Sequence, residues 1–194
     1  ARHGNLELTE YYYLEAAALL EDAGNIFLPW AEYGRTRMLM ALDSDPDDLR
    51  RQNEKGVRAL HESGGRRLAA MAESDWGHKR RQEGDTEEAL AIYRRMLVEW
   101  RELGHRAAMA NILENMAFIA RAQDRLERAA LLLGAAQRIR EEARQGMLPP
   151  EKEEYEREVA AIKEGLGERQ VDQVWAEGRA LSTDALIVLA LEKT

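Results

Sequence analysis

The sequence predicts an all-α chain of stacked antiparallel helix pairs, and three observations predict it. Ala, Leu, Glu and Arg, all strong helix formers, dominate a composition with only 6% aromatics. Glycines that close helical runs recur at 24, 64 and 104, each 40 residues from the last. Between those marks apolar residues fall at i, i+3 and i+4, as in Ala89, Ile92, Tyr93, Met96, Leu97 and Trp100. The β-branched runs that strands need do not occur, and each of the four prolines sits where a helix should start or stop.

The apolar spacing sets helices near 6–23, 29–42, 46–63, 66–83, 86–103, 106–123 and 126–144. Three similar helix ends recur among them: Glu21-Asp22-Ala23-Gly24, Glu62-Ser63-Gly64 and Glu102-Leu103-Gly104. Glycine directly after a helix takes the left-handed conformation at no steric cost, so three in phase imply an array. Other columns keep the same phase: Thr9, Leu49, Ala89 and Ala129; Tyr13, Asn53, Tyr93 and Leu133; Ala16, Gly56, Met96 and Ala136. The last column is mostly small, as a close helix crossing requires, and Asn53 and Met96 are the imperfect members. Acidic residues open the helices at 46–63 and 86–103 (Asp45-Pro46-Asp47-Asp48, Asp85-Thr86-Glu87-Glu88), where they favour the N-terminal dipole.

After Gly146 the phase is lost. Pro149-Pro150 starts a helix through about 165 with Tyr155, Val159, Ile162 and Leu166 on one side; its charge run from Glu151 to Glu158 reads as a solvated face. A helix near 168–180 aligns Val171, Val174 and Trp175, with Leu181 following. A last one, capped by Ser182 or Thr183, runs through Leu191. The expected organisation is one continuous domain, with repeats over 1–146 and capping helices over 147–194 packed on the array.

Composition bounds the function. A chain of 194 residues, 45% hydrophobic and 33% charged, is long enough for one repeat array with a continuous core. Its 36 acidic and 28 basic residues give a net charge of -8, a poor field for binding phosphates, so no direct nucleic-acid contact is expected. Cysteine is absent, which excludes disulfides and thiolate chemistry. No stretch approaches the roughly 20 apolar residues of a membrane span. The opening Ala1-Arg2-His3-Gly4 has neither an initiator Met nor an apolar signal core, and the expectation is a cytoplasmic region of something longer.

The residues from 70 to 104 resemble the tetratricopeptide repeat. Trp76-Gly77 stands where that family places Leu-Gly, Gly84-Asp85 marks the turn, and Ala89 and Tyr93 take the small and aromatic positions of the second helix. The family repeat is shorter, so the second helix and its loop are longer here, and in the next repeat Met116-Ala117 and Leu133 replace the motif residues. The resemblance implies a right-handed superhelix of helix pairs with a C-terminal helical cap. A second resemblance rests on Glu127-Arg128-Ala129-Ala130-Leu131-Leu132-Leu133-Gly134-Ala135-Ala136, then Leu148-Pro149-Pro150, Tyr155-Glu156 and Val174-Trp175-Ala176-Glu177-Gly178-Arg179-Ala180-Leu181. These strings, in this order, are similar to the MalT-like, LuxR-type transcriptional regulators and related STAND ATPases. That family joins an ATPase module to a helical-repeat sensor region, often followed by a helix-turn-helix. The resemblance covers residues 66–192, and 1–65 only through repeat phase. Neither ATPase nor DNA-binding motifs lie within the 194 residues.

Chemistry is sparse. His3, His61, His78 and His105 are scattered without a second metal-type ligand at helical spacing, and no nucleophile elbow or phosphate-cradling glycine loop is present. No metal or cofactor, and no enzymatic activity, is expected. Gly64-Gly65-Arg66-Arg67 superficially suggests an anion loop but reads as an inter-repeat turn. His61 and His105 read as surface or capping residues. In tetratricopeptide arrays the first helix of each pair lines the concave side, which points inward Arg37, Met38 and Ala41, then Ser74, His78 and Arg81, then Asn111, Glu114, Phe118 and Arg121. This set suits a peptide, a protein segment or a small polar effector, weighed against a solvated face with no ligand. The helix at 183–192 is apolar nearly all round, so Leu186, Leu189 and Leu191 are interface candidates toward a second copy or a following domain. The competing reading is burial between the Trp175 helix and the last repeat. The functional expectation is a sensor and interaction region of a multidomain regulator; the alternative is a freestanding scaffold assembling other proteins.

Overall fold

The computed structural model describes residues 46–62 and 64–192 and, before them, residues 8, 11, 12, 15, 18, 19, 30, 31, 33, 34, 37 and 40. Thr9, Tyr13, Ala16, Gly24, Met38, Ala41 and the limits of the two helices expected before residue 43 lie outside the described set. The described residues from 8 to 40 are helical. From there the chain runs α1 (Pro46–Glu62), α2 (Arg66–Gln82), α3 (Thr86–Glu102), α4 (Arg106–Ala122), α5 (Leu126–Ala143), α6 (Pro149–Leu166), α7 (Glu168–Ala180) and α8 (Thr183–Leu191). No strand occurs among the described residues, and the protein is all-α.

The helices keep a finer beat than the sequence columns suggest. α1 to α5 start at 46, 66, 86, 106 and 126, and the residue with positive φ in each following turn is 64, 84, 104, 124 and 144. Every turn closes with the same pair of backbone hydrogen bonds. Gly84 N donates to Arg81 O at 3.1 Å and Asp85 N to Arg80 O at 2.9 Å. Gly104 N and His105 N do the same to Arg101 O and Trp100 O, as do Asp124 N and Arg125 N to Arg121 O and Ala120 O. This is a Schellman turn, which satisfies the orphan carbonyls of the helix end. Glycine fills the left-handed position in three turns; Asp124 and Arg144 hold it with φ 60° and 52°, so composition alone hides the last two beats. The next helix is capped at once in two cases. Asp85 accepts from Glu88 N at 3.1 Å, and His105 Nδ1 accepts from Ala108 N at 3.2 Å, the capping role expected of that histidine. At Gly64-Gly65 both amides donate to α1 carbonyls, so they are turn hydrogen bonds and not an anion cradle.

The chain divides into two compact units, Ala1–Lys79 and Arg80–Thr194, with the boundary inside α2. In the first, Tyr33, Leu60, Leu68, Ala69 and Ala72 form a core with Val57 and Met71 packed against it. Trp76 is buried there with the Arg50 guanidinium 5.5 Å from its ring centroid. In the second, α4 is the central helix, buried on almost every side from Met109 to Ala120. α5 packs along it, and α3 contributes Ile92, Tyr93, Met96, Leu97 and Trp100. The phased columns are all core where described: Leu49, Ala89 and Ala129; Asn53, Tyr93 and Leu133; Gly56, Met96 and Ala136. Even the two imperfect members point inward.

α5 and α7 cross through two glycines. A Cβ on Gly134 of α5 would stand 3.0 Å from the Trp175 carbonyl carbon, and closer to its oxygen. One on Gly178 of α7 would stand 2.9 Å from the Leu131 carbonyl carbon, again closer to the oxygen. Each glycine therefore lets its helix rest on the other's backbone. The strings around Leu131-Leu132-Leu133-Gly134 and Trp175-Ala176-Glu177-Gly178 are thus the two halves of one crossing. Its edges are tied by Trp175 Nε1 donating to Gln137 Oε1 at 2.6 Å and by Arg179 donating to both carboxylate oxygens of Glu141 at 3.0 and 2.8 Å.

Candidate binding face and its resident helix

Arg81, Asn111, Glu114, Phe118 and Arg121, expected on one face, are brought together there, in the last turn of α2 and along α4. Helices present i, i+3, i+4 and i+7 to one side, so 111, 114, 118 and 121 line up as the spacing requires. α6 lies over this face. Its inward stripe is Glu151, Glu154, Tyr155, Glu158 and Ile162, while Lys152, Glu153, Glu156 and Arg157 face outward. The acidic run is therefore not simply a solvated face, as the sequence suggested: three of its carboxylates turn inward to meet cations and amides.

The pairings are specific. Arg121 Nε and Nη2 donate to the two carboxylate oxygens of Glu158 at 2.6 and 2.8 Å, a fork that also holds the guanidinium's pKa above its ordinary value. Arg81 Nη2 donates to both oxygens of Glu154 at 2.9 and 3.0 Å, with its guanidinium carbon 5.4 Å from the Phe118 ring centroid. Asn111 Nδ2 donates to Glu151 Oε1 at 3.4 Å. Beneath them Arg140 of α5 forks onto Glu114 at 2.8 and 2.6 Å, a buried pair whose side chains are 12% and 4% exposed. Burial pushes the Glu114 carboxyl above the usual range, against the opposing pull of Arg140; burial likewise pushes the Tyr155 phenol up to about 12.

The other residues expected on the face lie in the first unit. Ser74 is buried and donates to Ala70 O at 2.7 Å, so its hydroxyl serves its own helix. His78 is half-buried on α2. Arg37 Nε pairs with Asp75 Oδ2 at 3.2 Å beside Tyr33, whose hydroxyl donates to the same oxygen at 2.7 Å. Burial pushes that Asp75 carboxyl up despite both partners.

Sequence reasoning missed Glu151, Glu154 and Glu158, and with them Arg140. The usable signal was their spacing, which puts the three carboxylates on the side of α6 that carries Tyr155 and Ile162. At the C-terminus the structure corrects one interface candidate. Leu186 is fully buried where α8 packs on α3 and α5, so it is core; Leu189 is half-buried, and the exposed large apolar residues of α8 are Val188 at 62% and Leu191 at 39%. The helix is held by polar contacts as well. Ser182 accepts from Ala185 N at 3.2 Å, Arg128 donates to Leu189 O at 2.9 Å, and Arg101 pairs with Asp184. Among the described residues no helix is long and apolar enough to cross a membrane.

Comparison with known proteins finds relatives over part of the chain. Over 59 residues, 30% of this chain, it is 42% identical to proteins provisionally named as HTH-type transcriptional regulators in Mycobacterium bovis and in two strains of Mycobacterium tuberculosis. The match spans 7% of the length of those relatives. No family model matches the chain, and no solved structure does.

Proposed function

We propose that this chain is the non-catalytic sensor and protein-interaction region of a multidomain, MalT-like LuxR-type transcription regulator acting in the cytoplasm. In this reading its helix pairs stack as a tetratricopeptide-type right-handed superhelix, and the face of Arg81, Asn111, Phe118 and Arg121 receives a protein segment or a small effector. The observation that carries it is the 42% identity to HTH-type regulators. The beat of helix starts and Schellman turns supports repeat stacking, since each pair buries only part of its apolar face alone. Of the carboxylates gathered at the face, Glu114, Glu154 and Glu158 are engaged by guanidinium groups and Glu151 by the Asn111 amide, an arrangement suited to packing and recognition rather than proton transfer. Nucleic-acid contact belongs to other parts of the parent protein in this reading, because the -8 charge opposes it here.

The test is the parent reading frame and its behaviour. A helix-turn-helix segment in the parent, and altered effector response in a reporter assay on Arg81→Ala plus Arg121→Ala with promoter binding retained, is the expected result. A parent without a DNA-binding segment overturns the reading and leaves the freestanding scaffold.

A further inference from the structure

α6 is held differently from the helices around it. α7 rests backbone on backbone at the Gly134–Gly178 crossing, and α8 buries Leu186, Ile187 and Ala190. α6 has two buried residues, Glu158 and Ile162, as α7 has in Val171 and Gly178, but no such backbone crossing; Tyr155, Val159 and Leu166 are half-buried, and Glu154 and Glu158 fork onto Arg81 and Arg121. Its attachment therefore draws on the two charge-assisted forks as well as on apolar area. Both ends are turns with a positive φ: Arg144 at 52° in the Schellman turn before it, and Gly167 at 79° after it. The face beneath is complementary, with Arg81 and Arg121 placed for carboxylates one helical turn apart, Asn111 beside them, and Phe118 under a guanidinium.

We propose that α6 is an exchangeable internal ligand, and that the external partner of this face is an acidic amphipathic helix on another protein. That helix would carry the resident's spacing, Glu-x-x-Glu-Tyr-x-x-Glu, as in Glu151, Glu154, Tyr155 and Glu158. This rests on reading the face as a binding surface. While α6 is seated the face is closed; a competing helix gains the same forks by displacing it, with α5 and α7 left in place by their glycine crossing.

Two measurements on the 194-residue chain decide it. Hydrogen exchange of the wild-type protein is followed helix by helix. The expected result is exchange about tenfold faster across α6 than across α5 and α7. Exchange of α6 in step with α4 and α5 makes it fixed packing and overturns the proposal. In the second, a fluorescein-labelled peptide of residues 147–167 is titrated by anisotropy into the wild type and into Glu154→Gln/Glu158→Gln. Binding to the variant about tenfold tighter than to the wild type, and not reproduced by a scrambled peptide, is expected. Absence of binding while α3 to α5 stay protected overturns it. If the variant does not fold, the wild-type exchange experiment decides alone. Either failure leaves the regulator assignment standing, because the parent reading frame tests that separately.

Discussion

Alanine at Gly178 should weaken the chain even though alanine is the better helix former. In an exposed helix the change gains about 1 kcal/mol. At this crossing the new Cβ would lie 2.9 Å from the Leu131 carbonyl carbon, against 3.4 Å or more for an ordinary contact. The obstacle is backbone, which has no rotamer to yield, and the Leu131 carbonyl oxygen stands closer still, so α5 and α7 must part by about an ångström. A gap of that size removes roughly a quarter to a half of each dispersion contact across the interface. Overpacking of this kind costs about 1–3 kcal/mol, and a backbone clash belongs at the upper end. After the propensity gain the net loss should be about 2 kcal/mol, or about 4–8 °C in Tm for a chain of this length. Urea unfolding followed by Trp fluorescence and far-ultraviolet circular dichroism measures it. Gly134→Ala should behave alike, and the double variant should cost less than the sum, since the first change already opens the crossing. Gly165→Ala is the control: only the flexible Leu126 side chain stands in the way. Unchanged or raised stability in Gly178→Ala and Gly134→Ala would refute the crossing.

Other expectations follow from single environments. Arg140→Met strands the buried Glu114 carboxylate and should cost about 3–5 kcal/mol near neutral pH by urea unfolding. The loss should shrink on acidification, because the Glu114 pKa is already raised by burial and its protonated form then suffers no charge penalty. Asp85 has its pKa lowered by Arg80 first and by the Glu88 amide second, so its contribution is present above the ordinary value of 3.8 and lost as pH falls through the folded value. The Tm gap between the parent and Asp85→Asn should therefore close below about that pH. Leu186→Ala should cost about 2–5 kcal/mol, whereas Val188→Ala on the exposed side of α8 should stay within about 0.5 kcal/mol. Equal losses would place α8 wrongly, and a dimer lost on Val188→Glu by light scattering would mark its exposed edge as an interface. Trp76→Ala should cost about 3–5 kcal/mol in thermal unfolding; a midpoint within a degree or two of the parent would contradict its burial.

From residue 46 onward, helix limits, turns and the inward columns were legible in the sequence, because each is decided by neighbours within one or two turns. Glycine after an apolar run, an acid before one, and i, i+3, i+4 spacing carry that information locally, and even Asn53 and Met96 sat on the predicted side. The tertiary structure decided what the faces meet. The partners of Arg140, Arg121 and Arg81 lie 26, 37 and 73 residues away in the chain, a separation that no local period registers. A glutamate run looks the same whether its carboxylates meet water or guanidinium groups. Glycine inside a helix likewise reads as a propensity cost until the backbone of another helix is seen to occupy the space of its missing Cβ. α8, apolar all round, holds no sequence signal for its covered side; packing on α3 and α5 buried Leu186 and left Val188 in solvent, since only contact geometry breaks the symmetry of a uniformly apolar helix.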